Sequence, residues 1–288
     1  MKNILVTGGN GQLGQALQKV AGGYPQFNLL YTDYQDLDIT NADALAAYFS
    51  AQQIDACINC AAYTAVDKAE EEEDKAFLLN FQAVLGLAEV CAQYKAQLVH
   101  ISTDYVFSGK QNVPYTENDE TDPESIYGAS KVRGEAAAAG YNPDTIILRT
   151  SWLYSEYAVN FVKRMRQLMQ EKQELNVVFD QAGTPTYAGD LAKAILDILQ
   201  YKSDNPDAAI GGVYHYSNEG VTSWFDFAVA IKEMTNATTA IHPVTSDKYK
   251  TAAKRPAYSV LNKEKIKSTF GLSIPYWRDS LAKCLKNS

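Results

Sequence analysis

The sequence is short of cysteine, histidine and positive charge, and each shortage closes off a class of function. Its 288 residues include four cysteines and three histidines. Cys57, Cys60, Cys91 and Cys284 are too few for a disulfide scaffold, and a chain of this length buries enough apolar surface to fold without one. Cys57-Ile58-Asn59-Cys60 has the spacing of a redox pair, but the segment around it reads as a strand. Along a strand the two residues stand about 10 Å apart and point to opposite faces, whereas a disulfide spans no more than about 7 Å. Buried structural cysteines are the better account. His100, His215 and His242 show no ligand spacing and no companion carboxylate motif, so no metal is expected. The 34 acidic and 26 basic side chains leave a formal charge of −8, which repels a phosphate backbone, so no nucleic-acid partner is expected. No apolar run reaches the ~18 residues of a membrane span. Met1–Val6 runs into a strand pattern with no apolar leader. These features predict a cytoplasmic protein without a membrane partner, and they leave a homodimer open.

What the sequence does contain is an alternation of apolar strands and helical patterns. The strands are Asn3–Thr7, Leu29–Thr32, Asp55–Asn59, Gln97–Ser102 and Thr145–Thr150, with a long helix expected at about Asp67–Tyr94. Strands apolar throughout and separated by helices predict a parallel sheet covered on both faces, the Rossmann-type doubly wound α/β class. Residues 1–150 are read as the dinucleotide-binding domain, with its sheet completed within about 173–200. The remainder of 151–288 is read mainly as a smaller C-terminal α/β substrate lobe, and the absence of a Pro- or Ser-rich linker argues against a freely separable domain.

After the first strand comes Thr7-Gly8-Gly9-Asn10-Gly11-Gln12-Leu13-Gly14. Gly8, Gly11 and Gly14, spaced three apart between strand and helix, permit a tight turn and let backbone amides approach a pyrophosphate at the helix N-terminus. Asp33 closes the second strand, where a carboxylate can bond the ribose hydroxyls of the adenosine. Its charge favours NADH over a 2′-phosphorylated cofactor.

Tyr127 and Lys131 lie at i and i+4, on one face of a helix. An ammonium beside the phenol is expected to pull its pKa from about 10 toward the working range, leaving Tyr127 able to protonate an oxygen that becomes an alkoxide. Thr103 ends the fourth strand at the carboxyl edge of the sheet, where its hydroxyl can donate to a substrate carbonyl or cap a turn.

Together the glycine turn, the hydroxyl after the fourth strand and Tyr-x-x-x-Lys resemble the extended short-chain dehydrogenase/reductases. More narrowly, Gly11–Gly14, Ala61–Glu70, Ser102–Phe107, Arg149–Tyr154, Asp180–Thr186, Gly212–Phe227 and Arg255-Pro256 are similar to strings of the dTDP-4-dehydrorhamnose reductase family. The resemblance spans essentially the whole chain. It implies a cytoplasmic oxidoreductase in which NADPH or NADH reduces the 4-keto group of a dTDP-sugar substrate, dTDP-4-dehydro-β-L-rhamnose, for polysaccharide biosynthesis. It places Gly11, Gln12 and Leu13 at the pyrophosphate, and Asp33, Asp38 and Ile39 on the adenosine side. Ala62, Tyr63 and Thr64 then line the cofactor cleft, and Thr103, Asp104, Tyr127 and Trp152 meet the sugar. Lys131 bonds the nicotinamide ribose and tunes Tyr127. Lys254-Arg255-Pro256 puts two cations on a stiffened loop, suited to a diphosphate or to an ordinary solvated pair; Arg255 is the residue named for the substrate. An epimerase of the same fold and a non-catalytic cofactor-binding subunit are the alternatives. The first would release almost no oxidised cofactor, and the second would have less use for Tyr127, Lys131 and Thr103.

Overall fold

Strands β1 (Lys2–Thr7), β2 (Phe27–Thr32), β3 (Ala56–Asn59), β4 (Gln97–Thr103) and β5 (Ile146–Thr150) form the parallel sheet of the computed structural model, which describes residues 1–287. Gly212–His215 adds a sixth strand beside β5, and the spatial order is that strand, then β5, β4, β3, β1 and β2. All five pairings are parallel. The inner strands are largely buried on both faces because alternate residues feed two separate cores. Ile4, Val6, Ile58, Val99 and Leu148 pack on one face with helix α1 (Gln12–Val20) and helix Ala188–Asp204. Leu5, Cys57, Leu98 and Ile147 pack on the other with α2 (Ala42–Gln52) and helix Ala83–Tyr94. The chain leaves β1 toward β2 on one side and returns to β3 on the other, so a crevice opens at the carboxyl end of β1, where open α/β sheets bind their ligands.

Two expectations need correction. The sheet is not completed within 173–200: Glu174–Val178 pairs with Ala240–Val244 in the lobe, and only helix Ala188–Asp204 of that span covers the sheet. A four-residue strand such as Gly212–His215 carries too little periodicity to announce its partner, and pairing is set by the helices that reach the sheet face. The expected helix at 67–94 is broken into Val66–Ala69, Glu73–Phe77, a π-helical turn at Leu78–Gln82 and Ala83–Tyr94. By length and composition the run Glu73–Tyr94 could cross a membrane, although its buried side chains Val84, Leu87, Ala88 and Cys91 belong to the core beneath the sheet.

The lobe is built from the pair just named and helices Phe161–Glu171, Trp224–Thr235 and Trp277–Lys286 around Tyr154, Met165, Phe227, Ile231 and Leu281. Its joint to the sheet layer is polar: Asp190 accepts from Asn218 and Ser280 and pairs with Lys283. Cys57, Cys60, Cys91 and Cys284 form no disulfide, and Cys57 lies against Cys91 of the helix behind the sheet, not against Cys60.

Candidate active site

A cavity of about 980 Å³ runs along the carboxyl edge of the sheet and under the lobe. It brings together Gly8, Gly11, Gln12, Leu13, Asp33, Asp38, Ile39, Ala62, Thr64, Thr103, Asp104, Tyr127, Lys131, Trp152 and Arg255, most of the residues singled out in the sequence. Two of the others sit differently. A β-carbon on Gly14 would meet the Gly9 and Gly8 carbonyl oxygens at 2.5 and 2.6 Å, so this glycine serves the packing of α1 on the turn beneath the cavity wall. Tyr63 turns its phenol away to donate to Glu72 at 2.6 Å, because successive side chains of an extended segment point to opposite sides.

The glycine turn is shaped for close approach. Gly8 has φ +63°, and a β-carbon there would stand 2.9 Å from the Ala61 backbone. Gly11 caps α1 without any side-chain hydrogen bond, leaving the first amides of the helix for an anion. Asp33 leans over the turn, its Oδ2 accepting from the Asn10 amide at 3.1 Å. At this end the cavity wall carries Asp33 and Asp38 and, among the described residues, no lysine or arginine.

Helix Ile126–Tyr141 presents the Tyr-Lys pair. Ser125 caps it by accepting from the Gly128 amide at 3.1 Å, and Gly128 lets it press onto the turn after β4, since a β-carbon there would meet the Tyr105 carbonyl at 2.3 Å. Tyr127 is 9% exposed, edge-on to Tyr105 with ring centres 5.5 Å apart, and lines the cavity with Thr103. Burial chiefly, with Asp104 and Tyr105 adding, holds the phenol above its ordinary pKa, while the Thr103 hydroxyl works the other way.

That corrects the expectation that Lys131 lowers the phenol. Lys131 is 2% exposed and its Nζ donates to the Ile101 carbonyl at 2.6 Å. Burial brings the lysine itself down to about 8, with Glu135 opposing. A buried ammonium is costly enough that the lysine gives up charge before it can tune its neighbour. Tyr127 is therefore held in its protonated form, the state a proton donor must start from.

Thr103 serves both readings offered for it. Its hydroxyl accepts from the Tyr105 amide at 3.2 Å as a turn cap and donates to Asp104 Oδ1 at 3.0 Å, yet it still lines the cavity. Asp104 is 2% exposed and its Oδ2 has no partner. Burial pushes this carboxyl up to about 6, against hydrogen bonds from Ser259 and Thr103. A buried oxygen without a donor suits a ligand hydroxyl.

Across the cavity, Trp152 has φ +47° and stacks on Trp224 with ring centres 3.6 Å apart and planes 10° from parallel. Phe161 backs Trp224 at 4.6 Å. Sequence reading missed Trp224, although it opens a helix whose start is signalled by Ser223 and Asp226 in a capping box. Asn80, on the π-helical turn, was missed as well. It accepts from the Tyr63 amide and donates to Tyr63 O and Ser130 Oγ, tying the cofactor-side loop to the Tyr127 helix. Arg255 pairs with Asp67 at 2.8 Å and donates to the Tyr105 hydroxyl at 3.3 Å. Lys254 pairs instead with Glu124 at 2.6 Å and is not part of the wall. His215 is buried with its Nδ1 3.1 Å from the Tyr115 carbonyl, and His242 is exposed beside Glu174. No cluster of three metal-type ligands occurs among the described residues.

A family model described as RmlD substrate binding domain matches residues 1–288. A dTDP-4-dehydrorhamnose reductase of Sinorhizobium fredii (strain NBRC 101917 / NGR234) is 41% identical over 281 residues, covering 96% of this chain and 94% of that protein. The crystal structure of a dTDP-4-dehydrorhamnose reductase from Clostridium acetobutylicum superposes with a TM-score of 0.93 at 41% identity, covering 99% of both chains. That of a dTDP-4-dehydrorhamnose reductase from Bacillus anthracis str. Ames, in complex with NADP, gives a TM-score of 0.94 at 37% identity over 100% of both chains.

Proposed function

The chain belongs to the RmlD substrate binding domain family, and from that premise we propose that it is an NAD(P)H-dependent reductase of the 4-keto group of dTDP-4-dehydro-β-L-rhamnose, yielding dTDP-L-rhamnose. The observation that carries this reading is a single cavity in which the glycine turn, the Thr103–Tyr127 pair and the Trp152–Trp224 stack meet. The residues present fit a dinucleotide: Gly8 and Gly11 leave room for it, and the uncapped start of α1 offers amides to its phosphates. NAD(P)H supplies the hydride when bound.

The chain's own side chains do the rest. Thr103 Oγ1 is free to turn from Asp104 and donate to the keto oxygen. Tyr127 gives its proton to the same oxygen as charge builds there, which completes the hydroxyl. Asp104 Oδ2 accepts a sugar hydroxyl, Trp152 offers a flat apolar face to the ring, and Arg255 reaches toward the diphosphate. Asp33 and Asp38 hold hydroxyls of the adenosine ribose, and their charge makes a 2′-phosphate the poorer guest, so NADH is expected to serve at least as well as NADPH. A formal charge of −8 fits a small-molecule enzyme better than a nucleic-acid binder.

The test is consumption of NADH or NADPH by purified protein with dTDP-4-dehydrorhamnose, followed by absorbance and by identification of the product. One cofactor consumed per product formed is the expected result. Sugar converted with no net cofactor loss would identify an epimerase instead, and no conversion would leave a binding subunit.

A further inference from the structure

Beneath the cavity a line of buried polar groups crosses three adjacent strands. Thr7 ends β1, Asn59 ends β3 and His100 lies on β4; all three are buried, as is Lys131. The Thr7 hydroxyl accepts from the Ala61 amide at 3.3 Å and lies 2.7 Å from Asn59 Oδ1. Asn59 Nδ2 lies 3.1 Å from His100 Nδ1, and His100 Nε2 lies 3.5 Å from Lys131 Nζ.

The proton positions along this line follow from lengths and valence. A 2.7 Å contact suits O–H···O, and a 3.1 Å contact suits a longer N–H donor bond. Thr7 therefore donates to the amide oxygen, and Asn59 turns its NH₂ toward the imidazole. His100 Nδ1 accepts, so its one proton sits on Nε2 and points at Lys131. Burial above all holds His100 well below the ordinary histidine range, with Lys131 adding when it is charged, and the ring is neutral in either state of the lysine. An ammonium has no lone pair for an incoming N–H, whereas a neutral amine has one and can still donate to Ile101 O.

We propose that Thr7, Asn59 and His100 are positioning residues that lock one histidine tautomer, present an N–H to Lys131, and so favour its neutral amine. The inference rests on Lys131 belonging to the reductase site proposed above. It acts in the same direction as the burial that already lowers this lysine, leaving it able to return a proton to Tyr127 between turnovers and to accept one. The other groups facing Lys131 are Tyr127 and Glu135 on its own helix, with Arg149 of β5 holding Glu135 at 2.7 Å. Asp104 and Tyr105 stand on the turn after β4, and the neutral thiol of Cys60 lies beyond β3. Asn80 faces the helix from the π-helical turn without charge, and Asp67 is committed to Arg255.

Imidazole ¹⁵N NMR of the full chain tests this without turnover. The chain has three histidines, and loss of one set of signals in His100→Gln assigns His100. The expected spectrum shows a protonated Nε2 and a bare Nδ1 throughout about pH 6 to 9. An Nδ1–H tautomer, or a ring that gains charge in that range, overturns the proposal. In Asn59→Asp the carboxylate must accept from Nδ1–H, which turns a lone pair toward Lys131. The lysine titration, followed through its ¹³Cε signal, should then move upward by about one pH unit or more. Repeating Asn59→Asp in a His100→Leu background separates the imidazole from the bare charge of the aspartate. A rise of equal size there overturns the proposal, and a clearly smaller one supports it. Failure of wild-type protein to reduce the dTDP-sugar would reject the functional reading alone, because the tautomer is read independently of it.

Discussion

The cofactor side of the cavity stands on the ends of β1, β3 and β4, whereas the sugar side stands on two-residue strand pairs, stacked rings and a half-exposed ion pair. Leu153-Tyr154 pairs with Thr186-Tyr187, and Ala182-Gly183 with Thr222-Ser223. On the first side, Tyr127, Lys131 and Asn59 are buried, Lys131 held by the Ile101 carbonyl and Asn59 by Thr7 and His100. On the second, Arg255 is held by Asp67, which is itself partly exposed, and Trp152 combines an unfavourable backbone conformation with its stack on Trp224. The contrast separates two jobs. Proton transfer needs groups fixed and desolvated before the substrate arrives, and strand ends in a doubly covered sheet supply that rigidity. Substrate choice needs surfaces that differ between relatives, and short, locally stacked elements supply it without disturbing the sheet.

If that division is right, the largest losses come from the cofactor side. Tyr127→Phe removes only the proton donor from a buried, packed position, so kcat should fall by roughly 10²–10⁴-fold while quenching of protein fluorescence by NADH is retained. Lys131→Met should lose activity too, but gain stability. Burial lowers this lysine to about 8 in the folded chain, against an ordinary value near 10.5 unfolded, so below pH 8 the folded state carries the ammonium at a cost that the unfolded chain does not bear. The unfolded chain binds the extra proton between those values, and wild-type stability therefore rises with pH across that window. At pH 7 Lys131→Met should melt higher than wild type, by on the order of a few kcal/mol, with the advantage shrinking toward pH 10. A variant melting lower at pH 7 and gaining nothing from the loss of charge would contradict this account.

The same contrast explains what could be read from the sequence. Gly8, Gly11, Tyr127, Lys131 and Thr103 were legible because each is bound to a regular element by short spacing, and the five strands were legible because burial of the sheet on both faces makes their centres largely apolar. The sixth strand was misplaced because Gly212–His215 finds its partner only through the helices packed behind it. Trp224 was invisible as a site residue because its place depends on a stack with a distant Trp152, which no periodicity encodes. The tuning of Lys131 was misjudged for a further reason. The i, i+4 spacing shows that two side chains share a helix face, but it is silent on burial, and burial decides which of the pair shifts.

On the sugar side the effects should be smaller and fall on KM. Arg255→Ala removes a charge-assisted donor that stands over the cavity beside Tyr105. Loss of one such bond to a diphosphate is worth about 1.5–3 kcal/mol, so KM for the dTDP-sugar should rise by about 10- to 100-fold with kcat nearly unchanged. The exposed pair with Asp67 contributes little to folding, so the melting temperature should hold. An unchanged KM would remove Arg255 from the site.

Trp224→Ala is the finest probe, because Trp224 lines the cavity beside Trp152 and stacks on it without touching the glycine turn or Tyr127. A bulky residue at φ +47° costs about 1–3 kcal/mol of strain, and the flat contact of the Trp152 indole with that of Trp224 offsets part of it. With that ring gone, an aromatic contact of about 0.5–1.5 kcal/mol disappears, and the Trp152 backbone is free to relax out of the left-handed region. The indole would then leave the cavity wall without any change at the glycine turn or at Tyr127. The expected signature is a KM for the dTDP-sugar raised about two- to tenfold, with kcat and the KM for NADH both preserved. Trp224→Phe, which keeps a flat ring in the stack, should recover most of the loss. If Trp224→Ala lowered kcat as strongly as it raised KM, the lobe would be fixing the reacting groups as well as the sugar, and the division between the two sides would fail.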